Sequence, residues 1–152
     1  AWIISTIFVP VFDAGASAET AIEWNLWHSA GVALWLFGLI FESVADNQLH
    51  AFNQRIVKDG KTLNTGLWRY CRHPNYFGEF CIWWAWCIFA IPTASVWILA
   101  APMIMTYLLM KFSGVGNMEN GITTRRPDYQ AYIDATNTFF PWKPRVKVSG
   151  EI

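Results

Sequence analysis

The composition of this 152-residue chain is that of a membrane protein rather than of a soluble domain. Hydrophobic residues make up 54% of the chain and aromatic residues 17%, while only 14% are charged. A soluble domain carries about 25% charged residues. The formal net charge is zero, so the basic composition of a nucleic-acid-binding protein is absent. We therefore expect membrane lipids as partners, and no nucleic acid.

The chain opens with a short apolar stretch, residues 1–12. It falls short of the about 20 residues that a spanning helix needs. A signal peptide is disfavoured, because no basic region precedes the stretch and no small-residue cleavage site clearly follows it. We interpret it as the tail of a truncated helix or as a processed mature end.

Three longer apolar stretches predict transmembrane helices at about residues 24–45, 76–91 and 93–112. A polar loop, residues 46–74, joins the first two, and we expect the first helix to extend into it before the chain turns. A tail, residues 113–152, follows the third stretch. The predicted fold is therefore all-α: a single membrane-embedded helical bundle with a short interfacial helix in its tail. We expect it to be the C-terminal part of a larger multi-helix protein.

The charges are distributed asymmetrically along the chain. All eleven basic residues follow Ala51, whereas residues 13–23 carry only acids and the turn at Pro92 is uncharged. With three crossings, the basic loop and tail lie on one side. The positive-inside rule places that side in the cytoplasm, matrix or stroma. We therefore expect a bacterial inner-membrane or organellar membrane protein.

Motifs for metal binding and common nucleotide binding are missing from the sequence. Cys71, Cys81 and Cys87 lack a metal-binding spacing, and we expect them to be small apolar side chains without a disulfide. No zinc signature, glycine-rich dinucleotide fingerprint, Walker loop or nucleophile elbow occurs. We predict no metal site.

Ionisable chemistry is concentrated in "GLWRYCRHPNYFGEF", directly before an apolar run. His73 and Pro74 predict a helix start, because proline in the first turn loses no hydrogen bond. The exposed N–H groups of that turn, close to Arg69 and Arg72, are typical of an anion site.

Two pairs of polar residues are spaced four apart and therefore share a helix face. Asn75 and Glu79 form one pair in the predicted second helix. Glu42 and Asp46 form the other at the inner end of the first helix, where they either face a functional partner or only mark the point at which the helix meets water.

The tail contains a short helical pattern followed by an aromatic segment. "RPDYQAYIDAT" predicts a helix with Asp128 in its first turn and with Tyr129 and Tyr132 on one face. "FFPWKP" is typical of an interfacial anchor. Its aromatic side chains, expected at headgroup level, are Phe139, Phe140 and Trp142.

Taken together, "FESVADNQLHAF", "GLWRYCRHPNYFGE" and "RRPDYQAYIDATNTFFPW" resemble the membrane proteins of the DUF1295 family, relatives of the steroid 5α-reductases. The resemblance covers about residues 26–144. Related sterol reductases hold NADPH with this architecture, whereas isoprenylcysteine and phospholipid methyltransferases hold S-adenosylmethionine. The acid that follows Gly78, in "NYFGE", resembles the motif of the reductases. The single acid in "MEN" departs from the Glu-Glu pair of the methyltransferases.

The resemblance implies NADPH as the cofactor, with S-adenosylmethionine as the alternative. The phosphates of NADPH call for several fixed cations, and arginine is the best planar partner for them. By resemblance, polar and aromatic side chains from three parts of the chain bind the cofactor. They are Glu42, Asp46, Arg69, Arg72, His73, Asn75, Tyr76, Glu79, Arg125, Arg126, Tyr129 and Tyr132.

Three functions stay open at this point. The first is NADPH-dependent reduction of a C=C bond in a lipophilic, steroid-like or enone substrate. In the reductases the proton donor lies in N-terminal helices, which we expect to precede Ala1, so no catalytic residue is predicted. The second is S-adenosylmethionine-dependent methylation of a lipid or lipidated substrate. The third is a non-catalytic subunit whose Trp-rich helices pack against other subunits of a membrane complex.

Overall fold

The structure, a computed structural model, describes residues 23–56, 61–92, 96–111, 122 and 128–145, and this part of the chain is helical with no strand. The all-α prediction is thereby confirmed for these residues. In chain order the elements are α1 (Leu26–Ile56), a first 3₁₀-helix (Gly66–Arg69), α2 (Pro74–Ala90), a second 3₁₀-helix (Val96–Leu99), α3 (Ala100–Lys111) and α4 (Tyr129–Ala135).

Helix α1 is long enough and apolar enough, between Leu26 and Gln54, to cross a membrane. Large apolar side chains such as Leu36 and Ile40 are exposed along it, as expected of a helix that faces lipid. The helix continues past residue 45 to Ile56, so the first part of the predicted polar loop is helical. α2 has 17 residues and α3 has 12. α1 is therefore the one candidate span among the described residues, and three crossings remain a prediction.

Helices α1 and α2 pack together through glycines that allow their backbones to approach closely. A Cβ atom on Gly38 would lie 2.7 Å from the carbonyl oxygen of Gly78. A Cβ atom on Gly78 would lie 2.7 Å from both the Cβ and the backbone nitrogen of Glu42. Small residues at such crossings are typical of membrane helix pairs. This contact places the start of α2 beside the C-terminal half of α1.

Helix α3 is connected to α2 by a polar contact within an otherwise apolar interface. The indole nitrogen of Trp84 donates to Thr106 Oγ1 at 3.2 Å. The Thr106 hydroxyl in turn donates to the carbonyl of Pro102 at 2.6 Å. The hydroxyl of Thr106 therefore both accepts and donates a hydrogen bond, and the indole N–H of Trp84 is satisfied between the two helices.

The segment after α4 folds back onto the loop before α2. The backbone N–H of Trp142 donates to Tyr70 O at 3.1 Å, and that of Arg72 donates to Asn137 O at 2.9 Å. Phe139 is only 4% exposed and packs edge-on against Phe77 and Phe80.

The expectation that Phe139 lies with Phe140 and Trp142 at headgroup level is therefore wrong, because the Phe139 side chain is buried in the protein. Its ring lies in the core because the two backbone hydrogen bonds hold the segment against the loop before α2. Phe140 and Trp142 are 56% and 73% exposed. Asp128 also differs from expectation, since α4 begins only at Tyr129 and Asp128 occupies the N-cap position.

Candidate functional site

A cavity of about 420 Å³ lies between the C-terminal half of α1, the start of α2 and α4. Its volume falls within the roughly 300–1,000 Å³ of small-molecule and cofactor sites. The structure brings together six of the residues that the resemblance assigns to cofactor binding. They are Arg72, His73, Asn75, Tyr76, Tyr129 and Tyr132.

The acidic residues of the predicted site form a cluster beside the cavity rather than in its lining. The Glu42 carboxylate lies within electrostatic reach of Asp46 and Glu79. The Tyr76 hydroxyl interacts with the same two acids, and Tyr76 also lines the cavity. Tyr76 thus lies between the acidic cluster and the cavity.

Three more arginines were assigned to the site from the sequence, and unlike Arg72 none of them is described in the cavity lining. They are Arg69, Arg125 and Arg126. Arg69, the last residue of the first 3₁₀-helix, is exposed and does not line the cavity. Arg125 and Arg126 lie outside the described residues. Ile122, three residues before Arg125, and Tyr129, three residues after Arg126, both line the cavity.

The start of α2 forms one wall of the cavity, and its sequence determines where the helix begins. Pro74 occupies the first helical position and His73 the N-cap, as predicted. The backbone N–H of Phe77 donates to His73 O at 3.2 Å and closes the first turn. The positive end of the α2 dipole therefore lies at the cavity wall.

Arg72 provides a cation that the fold holds in place. Its side chain is 7% exposed, and its guanidinium donates from Nη2 to the Thr138 hydroxyl. Its backbone N–H donates to Asn137 O at 2.9 Å. Because the tail fixes both the backbone and the guanidinium, the charge is oriented before any ligand binds.

The imidazole of His73 is buried and electrically neutral at physiological pH. Burial lowers its pKa to about 4, and the charge of Arg72 contributes to the decrease. The ring stacks on Tyr76 with centroids 5.5 Å apart and an angle of 7° between the planes. His73 is therefore suited to a neutral hydrogen-bonding role rather than to binding a phosphate as a cation.

The depressed pKa of His73 predicts a loss of stability in acid. Below an unfolded pKa of about 6.5 the unfolded state takes up a proton that the native state does not bind. Stability is then lost as the pH falls from about 6.5 to about 4. We expect the apparent Tm of His73→Gln to fall less than that of the wild type between these pH values.

The matched control for that experiment is His50→Gln, which removes an exposed imidazole on α1. It should retain the wild-type pH dependence. Parallel Tm curves for the wild type and His73→Gln would show that the His73 ring is not held neutral.

Cys71 anchors the loop before α2 to the tail. Its thiol is fully buried and donates to Phe139 O at 2.8 Å. Burial raises the pKa of the thiol to about 12, although a backbone hydrogen bond from His73 and the charge of Arg72 oppose the rise. The protonated thiol is therefore a structural donor and a poor nucleophile.

A hydrogen-bonded chain connects α4 to α1 across the first 3₁₀-helix. The Tyr132 hydroxyl donates to Trp68 O, and the Trp68 indole donates to Ala45 O at 3.0 Å. Gly66 permits this turn, because its φ of +59° lies in the left-handed region. The ring of Tyr132 lies 5.6 Å from that of Tyr129. These contacts hold the tyrosine pair at the cavity.

Several residues that line the cavity were not assigned to the site from the sequence, among them Leu49, Phe52, Asn53 and Thr62. Leu49, Phe52 and Asn53 belong to the extension of α1, and their i, i+3, i+4 spacing is the signal that indicates one helix face. Thr62 is held by a hydrogen bond from its backbone N–H to Asp128 Oδ2 at 3.1 Å. Its hydroxyl is buried with no hydrogen-bond partner among the residues the structure describes.

Comparison with known proteins places the chain in a family. The sequence profile of DUF1295, described as a protein of unknown function, matches residues 1–136. The chain belongs to the DUF1295 family. The expected membership is thereby confirmed.

The chain is also similar to the uncharacterized protein C594.04c of Schizosaccharomyces pombe (strain 972). The two are 23% identical over an alignment of 141 residues, which covers 76% of this DUF1295 chain and 39% of the yeast protein. The chain therefore spans about two fifths of that relative's length. No solved structure matches the chain.

Proposed function

We propose that this DUF1295 protein binds NADPH in the cavity and is the cofactor-binding part of a membrane-embedded reductase. The reaction is the reduction of a C=C bond in a lipophilic, enone-type substrate. The observation that carries the proposal is the convergence on one cavity of a buried arginine, a helix start, an amide and a tyrosine pair.

The residues around the cavity fit the parts of a dinucleotide. Arg72 offers a fixed guanidinium for a phosphate, and the start of α2 adds backbone donors and the positive helix dipole. Tyr129 and Tyr132 offer aromatic faces for an adenine ring. The Thr62 hydroxyl is a buried polar group that a ligand would satisfy.

When bound, NADPH supplies the hydride for the reduction. The protein residues bind and orient the cofactor. Asn75 offers donors and an acceptor for a carboxamide or a ribose, and Tyr76 connects the cavity to Glu79 and Asp46. The apolar surfaces of α1 and α2 next to the cavity suit a lipid-soluble substrate.

A methyltransferase that binds S-adenosylmethionine is the second candidate, and the number of cations at the cavity favours it. Arg72 is the one arginine or lysine among the described residues that line the cavity. S-adenosylmethionine needs mainly one cation, for its carboxylate. Tyr76, with acids nearby, would suit a sulfonium through its ring face.

Thermal unfolding of the detergent-solubilised protein tests the proposal. A ligand that binds only the native state raises stability by mass action. At about 100 times its Kd, NADPH should raise the Tm by roughly 5 °C or more. A shift only with S-adenosylmethionine would support the second candidate. No shift with either ligand would favour the non-catalytic subunit of a membrane complex.

A further inference from the structure

The surface formed by Tyr70, Phe140, Trp142, Lys143 and Arg145 combines exposed aromatic rings with exposed cations. We name it the tail patch. Trp142 and Tyr70 are adjacent, since the Trp142 N–H donates to Tyr70 O at 3.1 Å. Arg145 lies beside α4, since its backbone N–H donates to Ala135 O at 2.9 Å. The carboxylate of Asp134, the residue before Ala135, accepts a hydrogen bond from Gln130 at 3.0 Å.

The depth of the tail patch relative to α1 points to a bilayer surface. The Phe140 ring lies 6.0 Å from that of Phe77, which lies 5.4 Å from Phe41 on α1. Phe41 directly precedes Glu42, the first acidic side chain of α1, so Phe140 lies near the level where the uncharged part of that helix ends. Aromatic rings at this level followed by Lys143 and Arg145 match a membrane interface.

The inner side of the same segment contacts Arg72, which lines the cavity, and the preceding residue, Cys71. Asn137 O accepts the Arg72 backbone N–H, and the Thr138 hydroxyl accepts from the Arg72 guanidinium. Phe139 O accepts from the Cys71 thiol. Whatever fixes Phe140 and Trp142 on the outside therefore also fixes the segment that orients Arg72.

We propose that the tail patch binds the headgroups of anionic phospholipids, and that this contact clamps residues 137–139 against Cys71 and Arg72. The charge of the patch is complementary to an anionic leaflet, and the predicted orientation faces the basic side of the chain toward such a leaflet. Each lysine or arginine near an anionic surface contributes a factor of about five to binding. The proposal rests on these contacts and needs no cofactor.

The test is the rate at which the Cys71 thiol is alkylated, resolved peptide by peptide, in the full-length chain reconstituted into vesicles. Cys71 reacts only when the tail segment opens. In vesicles of phosphatidylcholine with a minority of phosphatidylglycerol, alkylation should be about fivefold slower or more than in phosphatidylcholine alone. The double variant Lys143→Gln/Arg145→Gln should lose this dependence on lipid charge.

The matched control is Lys111→Gln, which removes an exposed cation at the end of α3 and should keep the wild-type dependence. Equal rates in the two kinds of vesicle would overturn the proposal. So would an equal slowing by inorganic phosphate in phosphatidylcholine vesicles, because the ligand would then be a free anion rather than the bilayer.

Discussion

Replacing Arg72 with glutamine is expected to weaken NADPH binding roughly 10- to 100-fold, the equivalent of one charge-assisted hydrogen bond of about 1.5–3 kcal/mol. Arg72 is the buried cation of the described cavity lining, and its backbone and guanidinium are both fixed by the tail. Little ordering is therefore required when a phosphate binds. The measurement is the Kd for NADPH by titration calorimetry in detergent.

Two further variants distinguish a role in binding from a role in folding. Arg69→Gln removes an exposed arginine that does not line the cavity, and its Kd should change much less. Thr138→Val removes the hydroxyl that holds Arg72 but keeps the charge, so its Kd should be intermediate. Equal Kd values for the wild type and Arg72→Gln, at similar Tm, would remove Arg72 from the site.

Replacing Gly78 with valine is expected to lower the Tm by roughly 5–10 °C, since overpacking costs about 1–3 kcal/mol. The new Cβ would lie 2.7 Å from both the Cβ and the backbone nitrogen of Glu42. Neither helix backbone yields easily at such a contact, so α1 and α2 must separate. Because both helices form walls of the cavity, NADPH affinity should fall as well.

Ala33→Val is the matched control for this variant, because Ala33 is exposed on α1. It adds a similar volume without a steric conflict and should keep the wild-type Tm. A wild-type Tm in Gly78→Val would show that the close approach of α1 and α2 at this glycine does not hold the bundle together.

The sequence predicted the site best where local chemistry determines structure. His73 and Pro74 start α2 as expected, because proline fits the first turn whatever surrounds it. Asn75 and Tyr76 are the next two residues of this first turn, and both line the cavity. That Tyr129 and Tyr132 line the same cavity as Arg72 was predicted only through the resemblance, because no local rule relates residues so far apart in the chain.

The parts that were missed depend on tertiary contacts. Phe139 is buried rather than interfacial because the tail is hydrogen-bonded to Tyr70 and Arg72, a pairing that no sequence period encodes. Arg69 differs from Arg72 in exposure because the first 3₁₀-helix ends between them and turns the chain.

Energy transfer from protein tryptophan to NADPH tests most directly whether the cavity is the cofactor site. Trp68 lines the cavity, and tryptophan emission overlaps the absorption of reduced nicotinamide. We expect saturable quenching of tryptophan with sensitised nicotinamide emission. The transfer should be smaller in Trp68→Phe, and in Arg72→Gln it should saturate only at a roughly 10- to 100-fold higher NADPH concentration. Saturable transfer that is unchanged in both variants would place NADPH elsewhere, and no saturable transfer in the wild type would contradict NADPH binding itself.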